Sequence, residues 1–243
     1  MFKTTRFLLQ EATSFKKGVL LVGRPGAGKG TYASRAAEKL GVPHIAAGDI
    51  IREEIKNKTP IGLQMQSFTS KGVLVPDELV IDLLIDRISR ICGQNTEMGY
   101  LLDGFPRNLV QAQKLDSIPG KIRVDMVLNL HQDEDIIITK VSSRRICSNC
   151  GEVYNLAHIK RDGLDMPPML PKVEGVCDSC GAKDSLIQRD DDREEVVKKR
   201  LVEYDQVTAP LLKYYQDKGI LKTFIVNGGA KQLLPSFLKV LTE

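Results

Sequence analysis

Apolar residues recur along this chain in two rhythms. Short unbroken runs at Val19–Val22, Tyr100–Leu102, Met126–Leu130 and Thr223–Val226 have the length and content of buried strands. Between them, apolar residues at three- and four-residue spacing predict helices over 29–40, 49–57, 61–70, 77–92, 108–117, 133–145, 191–217 and 231–242. Strands that are apolar on both sides, alternating with amphipathic helices, predict an α/β fold. Its parallel sheet is covered on both faces, and ligands bind beyond the carboxyl ends of the strands. The rhythm fails between 151 and 176, where Pro167, Pro168, Pro171 and several glycines leave no apolar period. Such a stretch cannot bury enough surface to hold itself together, so residues 141–188 read as a small subdomain inserted between core elements and in need of a brace.

Length and charge narrow the picture only a little. A chain of 243 residues with 42% hydrophobic content can bury one good core plus a small insertion, and its apolar runs are too short to span a bilayer. A net charge of +4 suits anionic small molecules and falls below what nucleic-acid binders carry, so neither a nucleic-acid nor a membrane partner is expected. Residues 1–17 set Lys3, Arg6, Lys16 and Lys17 against Glu11, among Phe2, Phe7, Leu8 and Leu9. This composition fits an organelle-targeting remnant and an ordinary extension equally. Phe2 excludes N-myristoylation.

Chemistry enters at Gly23-Arg24-Pro25-Gly26-Ala27-Gly28-Lys29-Gly30-Thr31, which follows the run Gly18–Val22 and opens a helical pattern. Strand, glycine loop and helix in that order make a phosphate cradle. A loop without bulky side chains turns its N–H groups inward, the helix start adds partial positive charge, and the lysine reaches the outer phosphates. Gly30 stands where most such loops place a Mg²⁺-binding hydroxyl, and Thr31 comes one residue late. Magnesium is therefore expected to rest on nucleotide phosphates and water with an acid behind it. Asp103, at the end of the apolar run Tyr100–Leu102, is placed to be that acid, acting through water.

Four of the five cysteines fall as Cys147-x-x-Cys150 and Cys177-x-x-Cys180, each pair followed by glycine. Such repeated knuckles point to a closed four-thiolate zinc site, structural because no coordination position is left for substrate. Two disulfides are the alternative, but no secretory signal accompanies them. Cys92, at the end of a predicted helix, reads as a packed thiol.

Taken jointly, these residues resemble the adenylate kinase family of nucleoside monophosphate kinases, from about Gly18 to the end of the chain. The resemblance rests on four motifs in order: the loop Gly23–Thr31, Gly48-Asp49-Ile50-Ile51-Arg52, Asp103-Gly104-Phe105-Pro106-Arg107, and Arg189-Asp190-Asp191-Asp192. It implies a P-loop NTPase sheet flanked by helices, with a core of 18–48, 78–140 and 189–243. Residues 49–77 would form a helical monophosphate-binding segment, and 141–188 a zinc-bearing LID. It further implies reversible transfer of the γ-phosphoryl group of ATP to AMP by a Mg²⁺-dependent monomeric enzyme whose partners are ATP, AMP and ADP.

The same resemblance assigns residues. ATP would be held by Gly26, Ala27, Gly28, Lys29, Gly30, Thr31, Lys140, Arg144 and Ala230, and AMP by Ala47, Arg52, Val75, Gly104, Arg107, Gln111, Arg189 and Arg200. Lys29, Asp103, Arg107, Arg144, Arg189 and Arg200 would carry the transfer step, for which planar, permanently charged guanidinium groups are suited. Gln111 offers both a donor and an acceptor, matching the N1 and N6 amino group of adenine. Two departures and one finer likeness stand beside it. Ala46-Ala47 replaces the Ser-Thr usual in adenylate kinases and is reminiscent of the relatives that act on UMP or CMP, the alternative substrate class. Lys140 replaces an arginine that stacks on the donor adenine. Val42–Ala46 and Asn155–Ile159 look most like the organellar adenylate kinases of plants.

Overall fold

Successive residues of the first apolar run are buried in two different cores, and this fixes where the strand lies. Val19 and Leu21 join one cluster while Leu20 and Val22 join the other, so β1 (Gly18–Val22) must be sandwiched between two helix layers. The computed structural model describes residues 15–70, 73, 75–92, 98–117, 123–161 and 163–243. The amino-terminal segment 1–14, and with it most of the expected targeting stretch, lies outside the described residues, as does the side chain of Cys92.

Five parallel strands form the main sheet in the order β10-β4-β1-β3-β2. Besides β1 they are β2 (His44–Ala46), β3 (Tyr100–Asp103), β4 (Met126–His131) and β10 (Leu221–Ile225). One face carries α1 (Lys29–Leu40), α6 (Glu134–Ser142), α7 (Glu194–Glu203) and α9 (Ala230–Thr242), packed through Ala33, Ala36, Ile137, Leu201 and Phe237. Tyr32, Phe224 and Phe237 meet there with ring centroids 5.0 to 5.8 Å apart. The other face carries α2 (Ala47–Lys56), α3 (Pro60–Thr69), α4 (Asp77–Cys92), α5 (Leu109–Asp116) and α8 (Ala209–Asp217), packed through Ile51, Met65, Leu84, Ala112, Leu211 and Tyr215. From β1 the chain crosses first to the β3–β2 side and only later to the β4–β10 side. A crevice therefore opens beyond the carboxyl ends of the strands around β1, where α/β sheets bind ligands. Among the described residues no helix is long and apolar enough to cross a membrane.

The expected α/β sheet is present, with corrections at several joints. The strand His44–Ala46 was not expected; three residues after Pro43 are too few to show a period. The helix expected over 133–145 stops at Ser142, because Arg144–Cys147 becomes β5 and pairs antiparallel with β6 (Val153–Asn155) and β9 (Leu186–Ile187). A second hairpin, β7 (Ile159–Arg161) with β8 (Leu164–Met166), completes the strands of the inserted stretch. The helix expected over 191–217 is divided into four elements. A 3₁₀ turn at Asp190–Asp192 precedes α7, and a π turn at Tyr204–Thr208 separates α7 from α8. Pro210 has no N–H to offer the carbonyl of Gln206, so the regular ladder cannot run through this junction.

Candidate active site

The glycine loop leaves β1 and feeds α1 at Lys29, so its amides and the helix start face the same space. Gly26 has φ 89°, and a Cβ there would lie 2.3 Å from Cγ2 of Val141, so only glycine lets the loop pass under α6. Lys29 Nζ donates to the carbonyls of Gly23 at 2.7 Å and Arg24 at 3.0 Å. Burial pushes its pKa down to about 8; Asp103 opposes the fall, while Arg107, Arg200 and Arg144 add to it. That one lysine feels three arginines from three different elements is the electrostatic signature of the site.

The cations converge on a cleft of 1530 Å³. This is well above the roughly 300–1,000 Å³ of a site for one small ligand, and so roomy enough for two nucleotides. Gly26, Gly28, Lys29, Gly30, Thr31, Arg52, Asp103, Gly104, Arg107, Lys140, Arg144, Arg189, Arg200 and Ala230 all line it. Ala47, Val75 and Gln111 line a smaller cavity that Gly104 and Arg107 share with the cleft. Of the expected residues only Ala27 borders neither, being wholly buried beneath the loop.

Each arginine is held differently. Arg107 donates from Nε to the Gly104 carbonyl at 2.9 Å, and burial, aided by Arg200, lowers its pKa to about 10. Burial together with Arg52 and Arg144 lowers Arg189 to about 10 as well, and its Nε has no partner among the described residues. Arg200 donates to the Asp191 carboxylate at 2.9 Å, and burial still lowers its pKa. Arg144 alone is raised: burial works against it, but a two-pronged pairing with the fully buried Asp192 prevails. Arg52 pairs with Asp49 near the mouth. Asp103 lies beside the loop, with Oδ2 3.4 Å from where a Cβ on Gly30 would sit. The carboxylate beside the phosphate loop suits a hydrated Mg²⁺ carried on phosphate oxygens.

The four cysteine sulfurs lie within 4.8 Å of one another. Cys147 to Cys180 and Cys150 to Cys177 are 3.6 Å apart, far beyond a disulfide bond and close to the edge of a tetrahedron of zinc thiolates, about 3.8 Å. Gly151 (φ 80°) and Gly181 (φ 71°) close the two knuckles with N–H bonds to the carbonyls of Cys147 and Cys177, both 2.8 Å. The amides of Asn149 and Cys150 point to Cys147 Sγ, and those of Ser179 and Cys180 to Cys177 Sγ. Around them Ser185 Oγ lies 3.2 Å from Cys147 Sγ, Asn149 Nδ2 donates to Cys180 Sγ at 3.4 Å, and Tyr154 Oη donates to Cys177 Sγ at 3.5 Å. The donor set fits a tetrahedral zinc.

The adenylate kinase family model matches residues 21–220. The chain belongs to the adenylate kinase family. It is 41% identical over 225 residues to an adenylate kinase of Caldicellulosiruptor bescii, covering 92% of this chain and 96% of that protein. An adenylate kinase of Lachnospira eligens is 46% identical over 207 residues, 84% of this chain and 90% of its own length. The Arabidopsis thaliana protein named adenylate kinase 1, chloroplastic, is 41% identical over 229 residues, 91% of this chain and 76% of its own.

Within that family frame, the departures have visible settings. Lys140 is buried, which lowers its pKa to about 8, and its Nζ donates to Gln132 Oε1 at 2.7 Å instead of lying open for a base. Ala47 is buried at the first turn of α2, against the small cavity. Several residues of the site carry no local sequence signal: Gln132, which also donates to the Val226 carbonyl, Asp77, and His44, whose Nε2 is buried without a partner among the described residues. Asp192 is the exception, since its acidic run next to Arg189 marks it.

Proposed function

We infer that this chain is a Mg²⁺-dependent ATP:AMP phosphotransferase that interconverts ATP and AMP with two ADP. The observation that carries the reading is the convergence of Lys29, Arg107, Arg144, Arg189 and Arg200 on one cleft large enough for two nucleotides. Burial first, and the neighbouring cations after it, lower the pKa values of four of these groups, and polyphosphate is the ligand that offsets both effects.

An AMP phosphate oxygen attacks the γ-phosphorus in line. The bond from that phosphorus to the β,γ-bridging oxygen breaks, and the leaving oxygen departs as the β-phosphate of ADP. The nucleophile is already anionic, so no general base is required and the protein's task is placement and charge. The loop amides and Lys29 hold the donor phosphates, Arg52 and Arg107 grip the acceptor phosphate, and Arg144, Arg189 and Arg200 surround the group in flight. Mg²⁺, with Asp103 behind its water shell, would screen the charge growing on the donor oxygens. Residues 141–188 act as a LID, braced by zinc on Cys147, Cys150, Cys177 and Cys180, and residues 49–77 close over the monophosphate. Closure excludes water, which would otherwise accept the phosphoryl group. The basic segment 1–17 and the similarity to a chloroplastic protein favour a plastid or mitochondrial location, which a fluorescent-protein fusion would test.

The decisive experiment is the initial rate of ADP formation from MgATP with AMP, CMP, UMP and GMP in turn, with Lys29→Ala as control. AMP is expected to lead, and the control to lose at least about a hundredfold in kcat/KM. A faster rate with UMP or CMP would give the acceptor site to pyrimidines.

A further inference from the structure

Gln111 is 2% exposed, so its carboxamide must satisfy itself inside the protein or on a ligand. Its Oε1 accepts from the backbone N–H of Arg107 at 2.7 Å, and its Nε2 donates to Asp77 Oδ1 at 2.6 Å. The same carboxylate accepts from Asn108 Nδ2 through both oxygens at 2.9 Å, and Asn108 Oδ1 in turn caps α5 by accepting from the Gln111 N–H at 2.9 Å. Asp77 thus joins the start of α4 to the start of α5, directly behind Gln111, which lines the small cavity.

The polarity of this arrangement is dictated by chemistry. A carboxylate only accepts and a backbone N–H only donates. Turning the Gln111 amide over would set oxygen against oxygen and N–H against N–H. One lone pair of Oε1 and one hydrogen of Nε2 remain for a ligand in the cavity. Their pattern of acceptor beside donor complements the N6 amino group and N1 of adenine. It opposes hypoxanthine, which has the inverse pattern of a carbonyl oxygen and N1–H.

We propose that Asp77 is a positioning residue for base selection: by fixing which way the Gln111 carboxamide points, it makes the acceptor site select a 6-amino purine over a 6-oxo purine. The proposal rests on the acceptor reading given above. Asp77 touches no substrate; it acts through Gln111.

The test compares kcat/KM for AMP and for inosine monophosphate at saturating MgATP in the parent enzyme, Asp77→Ala and Asp77→Asn. Without the carboxylate only the Arg107 N–H still orients Gln111, and a single hydrogen bond resists a turned amide less than two, so Asp77→Ala should lower the AMP:IMP ratio by at least about tenfold. The loss should lie mainly in KM for AMP, with kcat within about threefold. Asp77→Asn can keep an oxygen toward Gln111 and should restore most of the ratio. Asp77→Ser is too short to reach Gln111 and carries the same test if the alanine variant does not fold. Equal losses on both substrates, leaving the ratio unchanged, would reduce Asp77 to a tie between two helices and overturn the proposal. A parent enzyme that prefers a pyrimidine monophosphate would overturn the acceptor reading and this proposal together. That result is read from the parent alone, whereas a failure of Asp77 is read only from the variants.

Discussion

Lys29 keeps its ammonium group out of water in a cleft already crowded with guanidinium groups, and this gives it a distinctive pH behaviour. Burial lowers its pKa from 10.5 to about 8. A base whose folded pKa is depressed holds fewer protons than the unfolded chain between those two values. The cost of burying it is therefore present at neutral pH and relieved as pH rises from about 8 toward 10.5. Function runs the opposite way, because neutral Lys29 binds phosphate poorly. The kcat/KM for MgATP should fall as pH rises through about 8, while kcat stays flatter because bound phosphates favour the charged lysine. Lys140 titrates in the same range, so the profile belongs in Lys140→Arg as well as in the parent. A limb that stays level to about pH 9.5 in both would refute the assignment. Arg107 makes a complementary case. Its guanidinium is anchored through Nε to the Gly104 carbonyl, which leaves the two terminal nitrogens for phosphate. Arg107→Lys keeps the charge but loses the fork, and should raise KM for AMP by at least about tenfold with a much smaller effect on KM for ATP.

At the level of elements, the knuckle segment is organised by sulfur more than by apolar burial. Its own small core is the cluster around Cys147, Tyr154 and Cys177, while Met166 on the second hairpin packs into the main core. Metal removal by a chelator should therefore lower the melting temperature by at least about 5 °C and loosen residues 144–187 in hydrogen exchange, leaving the main sheet protected. An unchanged melting curve after verified metal loss would exclude the structural role. Tyr154→Phe removes one hydrogen bond to Cys177 Sγ and the partner of the Asp178 N–H, and should weaken zinc binding by about tenfold. The same contrast explains what could be read from sequence. β1, β3 and β4 announce themselves because both their faces are buried. The phosphate loop does so because its glycines and lysine are contiguous, and the zinc ligands because each knuckle is local. The strands β5 to β9 carry no apolar period, since their pairing follows the cysteines. The π turn arises from a clash of ladder and proline that no window of residues displays. Asp77 was invisible as well: it lies 34 residues from Gln111, and only the packing of α4 on α5 brings the two together.

For the whole molecule, the LID role proposed above requires the inserted segment to be tied to the core at few points and still report to the cleft. The chain leaves the core after α6 and returns at the 3₁₀ turn Asp190–Asp192, and these two crossings are tied together. Arg144 grips Asp192 with two nitrogens, and Gln188 Nε2 donates to the Ser142 carbonyl at 2.9 Å. In the proposed LID the two joined crossings would form a single pivot, and the residue on one side of it, Arg144, faces the phosphate cleft. Arg161 on β7 adds a lighter contact, an exposed pairing with Asp133 and Asp135 at the start of α6 that contributes little to holding the segment in place. Asp192 is the opposite kind of contact, since its carboxylate is wholly buried. Replacing it with asparagine leaves a mostly buried guanidinium without its counter-charge, at a cost of about 3 kcal/mol. In a domain of this size that corresponds to about 6–12 °C in melting temperature. The functional consequence is the more telling, because Arg144 would no longer be aimed when the insert closes. Asp192→Asn should lower kcat for phosphoryl transfer by at least about tenfold. It should also raise the share of ATP lost to water in the absence of AMP, since a slack pivot seals the cleft less well. Coupled assays of ADP formation with and without AMP separate the two effects. If transfer and hydrolysis fall together in proportion to lost folded protein, the pair is a structural tie and the pivot lies elsewhere.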